Sequence, residues 1–357
     1  MRLRHLVARG FRNLEALDRD VPEEGVVLLG ANGQGKTNLL EAVYYPVLFR
    51  SLRGAADQEV ACFGGPGFHV GARIESGGGP RQLAATWQPG ARRKRIGVDG
   101  SETGRLTDAI GTWVAVAFLP GDVRLAGGSA GERRHFLDRM LSLADREYLG
   151  ALVAYRSALA QRNAALRLGR TDLAGAFDRP LADAGAPVVR ARMAWAAGAA
   201  ARFGDELAAL GERDTGSLRY HGRPELADAG AWGEALETAR SRDAARRLTT
   251  VGPHRDDVVL EIGGRELRMF GSTGQQRSAA IALKLIELDT LATARGEEPA
   301  LLLDDVFAEL DAGRQERLAR RLIRPAQRQV FLTAPRTDEL PDAVGLPVWR
   351  MCEGRID

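Results

Sequence analysis

The chain has 357 residues, with 50 Lys and Arg against 47 Asp and Glu, and 45% of its residues are hydrophobic. This composition is typical of a globular protein of about two domains and excludes a disordered or fibrous chain. Two cysteines cannot form a disulfide framework, and neither an apolar run of about 18 residues nor an apolar leader is present, so secreted and membrane-spanning classes are excluded and we expect a cytoplasmic protein with no membrane partner.

The first fifty residues predict two short strands and then a strand–loop–helix unit. Residues 3–17 read as two strands joined by a turn at residues 10–13. Residues 26–29 form a continuous apolar run bounded by glycines, which is typical of a strand buried on both faces. Residues 38–49 predict a helix that Pro46 disturbs near its end.

The rest of the chain changes character twice. Residues 51–102 predict antiparallel strands, with a turn at residues 77–80. From Arg133 to Leu159, apolar residues recur every three or four positions and predict one long amphipathic helix; residues 178–210 and 228–248 are also predicted to be helical. After Gly252, short strands are predicted again at residues 258–262, 301–303 and 329–333.

This order of elements predicts one α/β domain with a mixed sheet, interrupted by a mainly helical insertion. We place the α/β domain at residues 1–122 and 249–357 and the insertion at residues 123–248. The insertion is too short to encode an extended coiled coil, and no long heptad run is present.

A candidate nucleotide site lies between the buried strand and the following helix. Residues 30–37 fit the phosphate-binding pattern G-x-x-x-x-G-K-[ST], in which glycines let backbone N–H groups face phosphates at a helix N-terminus. Lys36 is expected to bind the β- and γ-phosphates and Thr37 to ligate Mg²⁺. The candidate nucleotide-binding residues here are Gly30, Ala31, Asn32, Gly33, Gln34, Gly35, Lys36, Thr37 and Asn38. The alternative is a Gly-rich turn with no ligand.

Two carboxylates end the apolar strand at residues 301–303. Carboxylates at the carboxyl end of a parallel strand lie where open α/β sheets bind ligands. Asp304 is therefore a candidate catalytic residue and a second Mg²⁺ ligand beside Thr37, and Asp305 is a candidate to orient or deprotonate an attacking water. Lys36 is the third catalytic candidate in this group. The alternative is an acidic turn exposed to solvent.

A second candidate anion site opens the helix that follows residue 272. Small residues and a hydroxyl at a helix N-terminus can bind an anion, yet one nucleotide does not need two such sites from one chain. Two chains arranged head to tail would use both sites, so Ser272 and Gln275 are assigned catalytic roles and Ser272 and Gly274 are assigned nucleotide contacts from the other chain. Residues 308–311 would line the same seam. The alternative is that Ser272 only caps its helix.

Several basic and polar positions remain open to two interpretations. Arg12, in the turn between the first two strands, is a candidate phosphate ligand. Basic clusters at residues 92–95, 133–134 and 246–247 could contact DNA phosphates or could form solvated faces. A low aromatic content favours contacts to the DNA backbone over base stacking. His254, beside Arg255 and Asp256, could be part of a structural turn.

The three motifs, in this order, resemble those of an ABC-type ATPase head of the SMC-like branch. Ser272 to Gln275 occupy the place of the signature motif, and residues 308–311 the place of the D-loop. More narrowly, the chain resembles the RecF family of bacterial recombination ATPases. The stretches that carry this resemblance are residues 11–13, 38–42, 118–122, 133–138, 161–163, 251–257, 272–277 and 303–311.

The resemblance implies ATP and Mg²⁺ as cofactors and an ATP-dependent homodimer. It also implies binding to duplex DNA and to gapped or single-strand junctions, with partner proteins of the RecR and RecO types and, indirectly, the recombinase RecA. Asp305 stands where ABC ATPases usually carry glutamate, Thr333 where many carry a switch histidine, and no glutamine is evident at residues 120–122. These departures predict slow ATP hydrolysis, with ATP acting more as a dimerisation switch than as fuel, and the enzyme expected from the resemblance is a weak, DNA-stimulated ATPase. Two alternatives are an energy subunit of an ABC transporter and a nucleotide-controlled scaffold with negligible turnover.

Overall fold

The computed structural model describes residues 1–307, 312–323, 328–340 and 344–357. The chain divides into two compact units, of which the first comprises residues 1–121 and 287–357 and the second residues 122–286. The strands are, in chain order, β1 Arg2–Phe11, β2 Leu14–Asp20, β3 Gly25–Leu29, β4 Phe68–Ser76, β5 Gly79–Trp87, β6 Arg95–Val98, β7 Ser101–Glu102, β8 Ala115–Phe118, β9 Gly216–His221, β10 Asp257–Ile262, β11 Arg265–Glu266, β12 Ala300–Leu303, β13 Val330–Ala334, β14 Val348–Cys352 and β15 Arg355–Ile356.

Helices account for most of the second unit and connect the strands of the first. They are α1 Lys36–Leu48, α2 Asp57–Val60, α3 Leu106–Ala109, α4 Arg124–Gly127, α5 Ala130–Ala144, α6 Arg146–Arg167, α7 Thr171–Gly175, α8 Asp178–Ala209, α9 Trp232–Arg246, α10 Leu267–Phe270, α11 Thr273–Arg295 and α12 Ala312–Leu322. Among the described helices, none combines the length and the apolar character that crossing a membrane requires.

A six-stranded sheet carries the chemistry of the first unit. Its strand order is β15-β14-β3-β13-β12-β8, and all neighbours are parallel except the β14–β15 hairpin. Strands β3, β12 and β13 are buried along their whole length, as expected for parallel strands covered on both faces. The predictions of these three apolar strands are confirmed. Because they run parallel, their carboxyl ends meet at one edge of the sheet.

A second sheet of the first unit is antiparallel, in the order β2-β1-β4-β5-β6-β7, as the sequence predicts for residues 3–17 and 51–102. An aromatic cluster joins this sheet to α1. The rings of Phe11, Tyr45 and Phe68 meet edge to face, and Trp87 stacks on Phe68. Helix α1 begins two residues before the predicted start, and Pro46 lies inside its last turns without ending it.

The prediction of one long helix from Arg133 to Leu159 is wrong, because the segment forms α5 and α6. Asp145 separates them: its backbone is extended, with φ −137° and ψ 122°, and its side chain accepts a hydrogen bond from the backbone N–H of Glu147. Asp145 is thus the N-cap of α6, a role for which aspartate competes well against continuing a helix. The apolar periodicity continues across the break, so it does not reveal the cap.

Strand pairing explains where the second unit ends. Strand β9 is not among the predicted strands. It lies inside the insertion and pairs antiparallel with β10. This pairing holds residues 257–266 in the second unit, and the later division between the compact units lies within α11, whereas the predicted insertion ends at residue 248. The earlier boundary lies between residues 121 and 122, one residue from the predicted position.

Candidate functional site

A pocket of about 420 Å³ lies at the edge of the parallel sheet where β3, β12 and β13 end. It brings together five residues of the predicted loop, the adjacent candidate Asn38 and both predicted carboxylates: Asn32, Gly33, Gly35, Lys36, Thr37, Asn38, Asp304 and Asp305. Four lining residues that the sequence analysis did not assign to the site are Arg53, Pro120, Thr333 and Pro335. All of the described lining residues belong to the first unit.

The backbone of the loop has the conformation that phosphate binding requires. Gly33 and Gly35 have φ of 84° and 100°, in the left-handed region that residues with a side chain rarely adopt. A Cβ on Gly35 would lie 2.7 Å from Nδ2 of Asn13, whereas a Cβ on Gly33 would meet no atom within 4 Å. The loop therefore packs closely on its support at Gly35 and stays open at Gly33.

Lys36 lies folded over its own loop. Its ammonium group donates to the carbonyl oxygen of Gly30 and, at 2.9 Å, to that of Ala31. Burial lowers the pKa of Lys36, while the carboxylates of Asp304 and Asp305 oppose that shift. A cation held among carbonyl groups and carboxylates at the head of a helix is placed to bind phosphate oxygens.

Thr37, Asp304 and Thr333 form a chain of hydrogen bonds across the pocket. Oγ1 of Thr37 donates to the Asp304 carboxylate, at 3.0 and 3.1 Å from its two oxygens. Oγ1 of Thr333 donates to Asp304 at 3.0 Å and accepts from the backbone N–H of Asp305 at 3.0 Å. Burial raises the pKa of Asp304. This set of hydroxyl and carboxylate oxygens fits Mg²⁺, which prefers hard oxygen ligands.

Thr333 also fixes Asp305. The backbone of Asp305 is left-handed, with φ 52°, which is uncommon for a residue with a side chain, and the Thr333 hydroxyl holds its N–H. The side chain of Asp305 remains exposed at the pocket. In the sequence, Thr333 is notable only because it stands where a histidine is usual. In the structure, its hydroxyl contacts both Asp304 and Asp305.

The C-terminal hairpin supports the loop from behind. In the β14–β15 turn, the N–H of Glu353 donates to the Gln34 side-chain oxygen at 2.7 Å, and the N–H of Gly354 donates to the Gln34 carbonyl oxygen at 2.9 Å. Gln34 therefore faces its own support and does not line the pocket. No local sequence pattern connects these segments, which are more than 300 residues apart.

Arg12, a predicted phosphate ligand, does not line the pocket. Its guanidinium group pairs with both carboxylate oxygens of the buried Glu41, at 2.9 and 3.0 Å, and donates to the carbonyl oxygen of Glu59. Burial alone would raise the pKa of Glu41, but hydrogen bonds from Arg12, Ser51 and Arg53 outweigh it and lower that pKa. The contacts give Arg12 a structural role, and they do not support its assignment as a nucleotide ligand.

Arg53 takes the position in the pocket that the sequence analysis gave to Arg12. Its guanidinium group pairs with Glu41 and donates to the side-chain oxygen of Asn38 at 2.6 Å. Asn38 in turn donates to Asn13 at 2.7 Å. Arg53 lies in an irregular segment rich in Gly and Arg, so only the fold could identify it.

The Ser272 segment lies in the second unit and forms a reciprocal helix cap. The Ser272 hydroxyl accepts from the N–H of Gln275 at 3.2 Å, and the Gln275 side-chain oxygen accepts from the N–H of Ser272 at 3.0 Å. The alternative of a local cap thus describes the observed geometry. Ser272 and Gly274 are exposed nevertheless, and so are the side chains of Met269 and Phe270 just before them. Residues 308–311, the predicted D-loop, lie outside the described residues.

In two of the predicted basic clusters, some side chains form contacts within the protein instead of remaining free on the surface. Arg133 is buried and pairs with both carboxylate oxygens of Asp257, at 2.7 and 2.8 Å, so it cannot serve as a surface phosphate ligand. Arg134 donates to the carbonyl oxygen of Asp256. Lys94 is held by Asp57.

His254 has the structural surroundings that one interpretation of its motif predicts. Its Nδ1 lies 2.6 Å from the Tyr155 hydroxyl, and its Nε2 lies 2.9 Å from the carbonyl oxygen of Thr249. Burial lowers the pKa of His254 to about 4, so the ring is neutral at pH 7. Arg192, on α8, links the same turn to the Asp138 carboxylate through the carbonyl oxygen of Pro253.

A larger pocket of about 500 Å³ lies on the antiparallel sheet of the first unit. Its polar lining includes His5, His69, Arg73 and Arg95. It contains no glycine-rich loop at a helix N-terminus and no pair of carboxylates at strand ends. The smaller pocket is therefore the candidate nucleotide site.

Proteins of similar sequence share one description. "DNA replication and repair protein RecF" of Anaeromyxobacter dehalogenans (strain 2CP-C) is 38% identical over 351 residues, which cover 93% of this chain and 92% of the relative. The protein of the same description from Moorella thermoacetica is 34% identical over 360 residues, covering 99% of this chain and 95% of the relative. No protein-family model matches the chain.

Solved structures give the same result for the fold. "Structure of the recombination mediator protein RecF-ATP in RecFOR pathway" superposes with a TM-score of 0.91 at 28% identity, covering 99% of this chain and 96% of that one. An Smc head domain from Pyrococcus furiosus superposes with a TM-score of 0.58 at 15% identity, covering 99% of this chain and 95% of that one, which shows a shared fold alone. The predicted α/β fold of an SMC-like, ABC-type ATPase head with an inserted helical region is confirmed.

Proposed function

The chain belongs to the RecF family of DNA replication and repair proteins, and on this premise we propose that it is an ATP-dependent DNA-binding protein of recombinational repair. The observation that carries the proposal is the pocket formed by the phosphate loop, Asp304 and Thr333. A relative of 28% identity is described as bound to ATP and as a recombination mediator of the RecFOR pathway. Family membership favours DNA repair over the energy subunit of a transporter.

The pocket fits ATP with Mg²⁺. The open backbone at Gly33, the helix N-terminus and the Lys36 ammonium would hold the phosphates. Thr37 and Asp304 would hold Mg²⁺, which when bound offsets the negative charge of the phosphates. Arg53, anchored by Glu41 and Asn38, is a further cation at the pocket wall.

ATP binding would drive two chains together head to tail. All described residues that line the pocket belong to the first unit, while the exposed Ser272 segment belongs to the second. The cap between Ser272 and Gln275 fixes a helix N-terminus toward which an anion is attracted. The exposed side chains of Met269 and Phe270 would supply apolar contact area at the edge of such an interface.

Hydrolysis would be slow and would reset the dimer. Asp305 has a shorter side chain than the glutamate usual at this place and is fixed through its backbone to Thr333, so it reaches less far toward an attacking water. The same features favour a second candidate function, a nucleotide-controlled scaffold with negligible turnover. ATP turnover in the presence of DNA separates the two, because the scaffold predicts no product above the level of Asp304→Asn.

The DNA targets would be duplexes and gapped or single-strand junctions in the cytoplasm. Proteins of the RecO and RecR types would be the direct partners, and loading of RecA would follow indirectly. The net charge of +3 is too small for strong non-specific attraction, so local arginines must supply the phosphate contacts.

Light scattering with and without ATP and Mg²⁺ tests the dimer. We expect the wild-type mass to double with ATP and to stay monomeric without it. Ser272→Arg, which places a bulky cation on the exposed segment, should bind ATP and remain monomeric. A wild-type mass that stays monomeric at tens of micromolar protein with saturating ATP contradicts the proposal.

A further inference from the structure

The first unit exposes one aromatic side chain completely. Phe63 lies in a loop of residues 62–67, between α2 and β4, and no part of its side chain is covered by the protein. A large apolar side chain in this position loses the favourable free energy that burial would supply. It therefore raises the question of which partner covers it.

The Phe63 loop is short and held at both ends. The N–H of Cys62 donates to the carbonyl oxygen of Gly10 at 2.8 Å, and the N–H of Gly65 closes a turn onto the carbonyl oxygen of Cys62 at 2.9 Å. Gly67, with φ 118°, packs so closely on the backbone of Trp87 that no Cβ could fit. Phe63 is thus presented at the tip of a fixed turn.

A basic segment, residues 88–95, lies beside this loop. The N–H of Ala91 closes a turn onto the carbonyl oxygen of Gln88, and Lys94 donates to Asp57 at 2.6 Å and to the Tyr45 hydroxyl at 2.8 Å. Lys94 is therefore an internal anchor and not the phosphate ligand that the sequence suggested. It leaves Arg92, Arg93 and Arg95 exposed, and none of the three forms an ion pair with any described residue.

The two segments lie side by side, because they are in contact at both ends. Asp57 of α2, just before the Phe63 loop, holds Lys94 at the end of the basic segment. Gly67, at the end of the loop, packs on Trp87 and Gln88, where the basic segment begins. We call Phe63, Arg92 and Arg93 the junction surface.

We propose that the junction surface binds DNA where a duplex meets a single strand, with the arginines on the phosphates and Phe63 stacked on an unpaired base. The proposal rests on the proposed DNA-binding function and adds the surface and the structural feature of DNA that it recognises. Aromatic rings stack on any base of a single strand, while guanidinium groups bind phosphate oxygens as charged pairs.

The charge of the surface favours a nucleic acid over an apolar protein partner. Covering Phe63 with an apolar protein surface would also bury part of two unpaired guanidinium groups, those of Arg92 and Arg93, and that desolvation is costly without anionic partners. A DNA junction supplies both phosphates and an exposed base face. Inside a continuous duplex, each base is already stacked on both sides, so Phe63 has nothing to cover there.

Fluorescence anisotropy on two DNA substrates tests the proposal. One is a duplex closed at both ends by linkers that carry no bases, so that it has no unpaired base, and the other is the same duplex with a single-stranded gap. Phe63→Ala should weaken binding to the gapped DNA about tenfold and leave binding to the closed duplex unchanged. Phe63→Trp, which retains a stacking ring, should bind the gapped DNA like the wild type.

The arginines have a separate signature. Replacing both Arg92 and Arg93 with alanine should weaken binding to both substrates and lower the slope of log affinity against log salt by about 2. All variants should bind ATP like the wild type, because none of these residues lines the nucleotide pocket.

Each result has one meaning. If wild-type protein binds gapped DNA and Phe63→Ala binds it equally well, this inference is overturned and the proposed function stands. Loss of affinity for a partner protein, with DNA affinity unchanged, overturns it as well. If the wild type binds neither DNA with or without ATP, the inference and the proposed function fail together.

Discussion

The nucleotide pocket of the first unit and the buried polar network of the second unit contain the same kinds of side chain but serve different roles. The pocket is open to a ligand, whereas the network joins parts of the protein. In the pocket, Asp305 keeps its carboxylate exposed and Gly33 leaves the backbone of the phosphate loop open. In the second unit, the polar network consists of Asp138, Tyr148, Tyr155, Arg192 and His254, and its hydrogen bonds run to other protein groups.

This contrast shows how a ligand-binding site can be distinguished from a structural network when both regions contain charged side chains. Buried polar groups must find partners, and a network whose partners all come from the protein holds elements together. The network ties α5, α6 and α8 to the turn at Gly252, so it explains motifs of the sequence that the nucleotide site does not use. Variants of the two regions should therefore affect different measurements.

The largest effect is expected in the network. Arg192→Met removes the buried partner of the Asp138 carboxylate, which keeps its contacts to Arg156 and Tyr148, so the free energy of unfolding should fall by about 3 kcal/mol. The ATP affinity of the folded protein should not change. Urea unfolding followed by circular dichroism measures the first quantity, with the exposed Arg190→Met on the same helix as the control. A loss below 1 kcal/mol would mean that the network is not a support.

Lys36→Ala should show the reverse pattern. Removing the ammonium that faces the phosphates should lower ATP affinity about 100-fold, since charge-assisted hydrogen bonds are worth about 1.5–3 kcal/mol each. The free energy of unfolding should fall by about 1–2 kcal/mol, less than for Arg192→Met, because Lys36 gives up two hydrogen bonds to its own loop. Isothermal titration with ATP and Mg²⁺ measures the affinity, and Lys94→Ala, a lysine outside the pocket, is the control. An unchanged ATP affinity of Lys36→Ala would show that this pocket is not the nucleotide site.

Lowering the pH should weaken the network through His254. The pKa of His254 in the folded protein is about 4, below its ordinary value of 6.5. Between these two values, His254 is protonated in the unfolded chain and neutral in the folded chain. Stability from this group should therefore fall by about 2 kcal/mol between pH 7.5 and pH 5. His254→Gln should show a correspondingly flatter dependence in urea unfolding. Parallel curves for the two proteins would show that His254 does not titrate as described.

The smallest effect is expected behind the phosphate loop. Gln34→Ala removes one hydrogen bond from the C-terminal hairpin and should lower ATP affinity about fivefold, corresponding to about 1 kcal/mol. Gln88→Ala, an exposed residue outside the pocket, should have no effect in the same titration. Equal affinities of Gln34→Ala and the wild type would indicate that the hairpin does not position the loop.

The sequence predicts well what local chemistry dictates. The loop at residues 30–37 and the apolar strands at residues 26–29 and 301–303 specify the pocket edge, because each pattern has one good structural solution. Asp145 and β9 were missed because a helix cap and a strand pairing inside an Ala-rich insertion leave no distinct periodicity.

The contributions of Arg53 and Thr333 could not be predicted, because they depend on which distant segments meet. Arg53 reaches the pocket only through its contacts to Glu41 and Asn38. Thr333 matters because β13 lies beside β12, which places its hydroxyl between Asp304 and Asp305. The pairing of Arg12 with Glu41 could not be predicted for the same reason, since the two residues are 29 positions apart.

The account requires that one chain's phosphate loop and another chain's Ser272 segment hold ATP together. The mass of a mixture of two variants tests this requirement directly. Lys36→Ala and Ser272→Arg should each stay monomeric with ATP and Mg²⁺. When they are mixed, one intact pair remains, between the loop of the Ser272→Arg chain and the Ser272 segment of the Lys36→Ala chain. Light scattering should therefore detect dimers in the mixture at concentrations where neither variant alone forms them. A mixture that remains monomeric, while the wild type dimerises, would contradict the account.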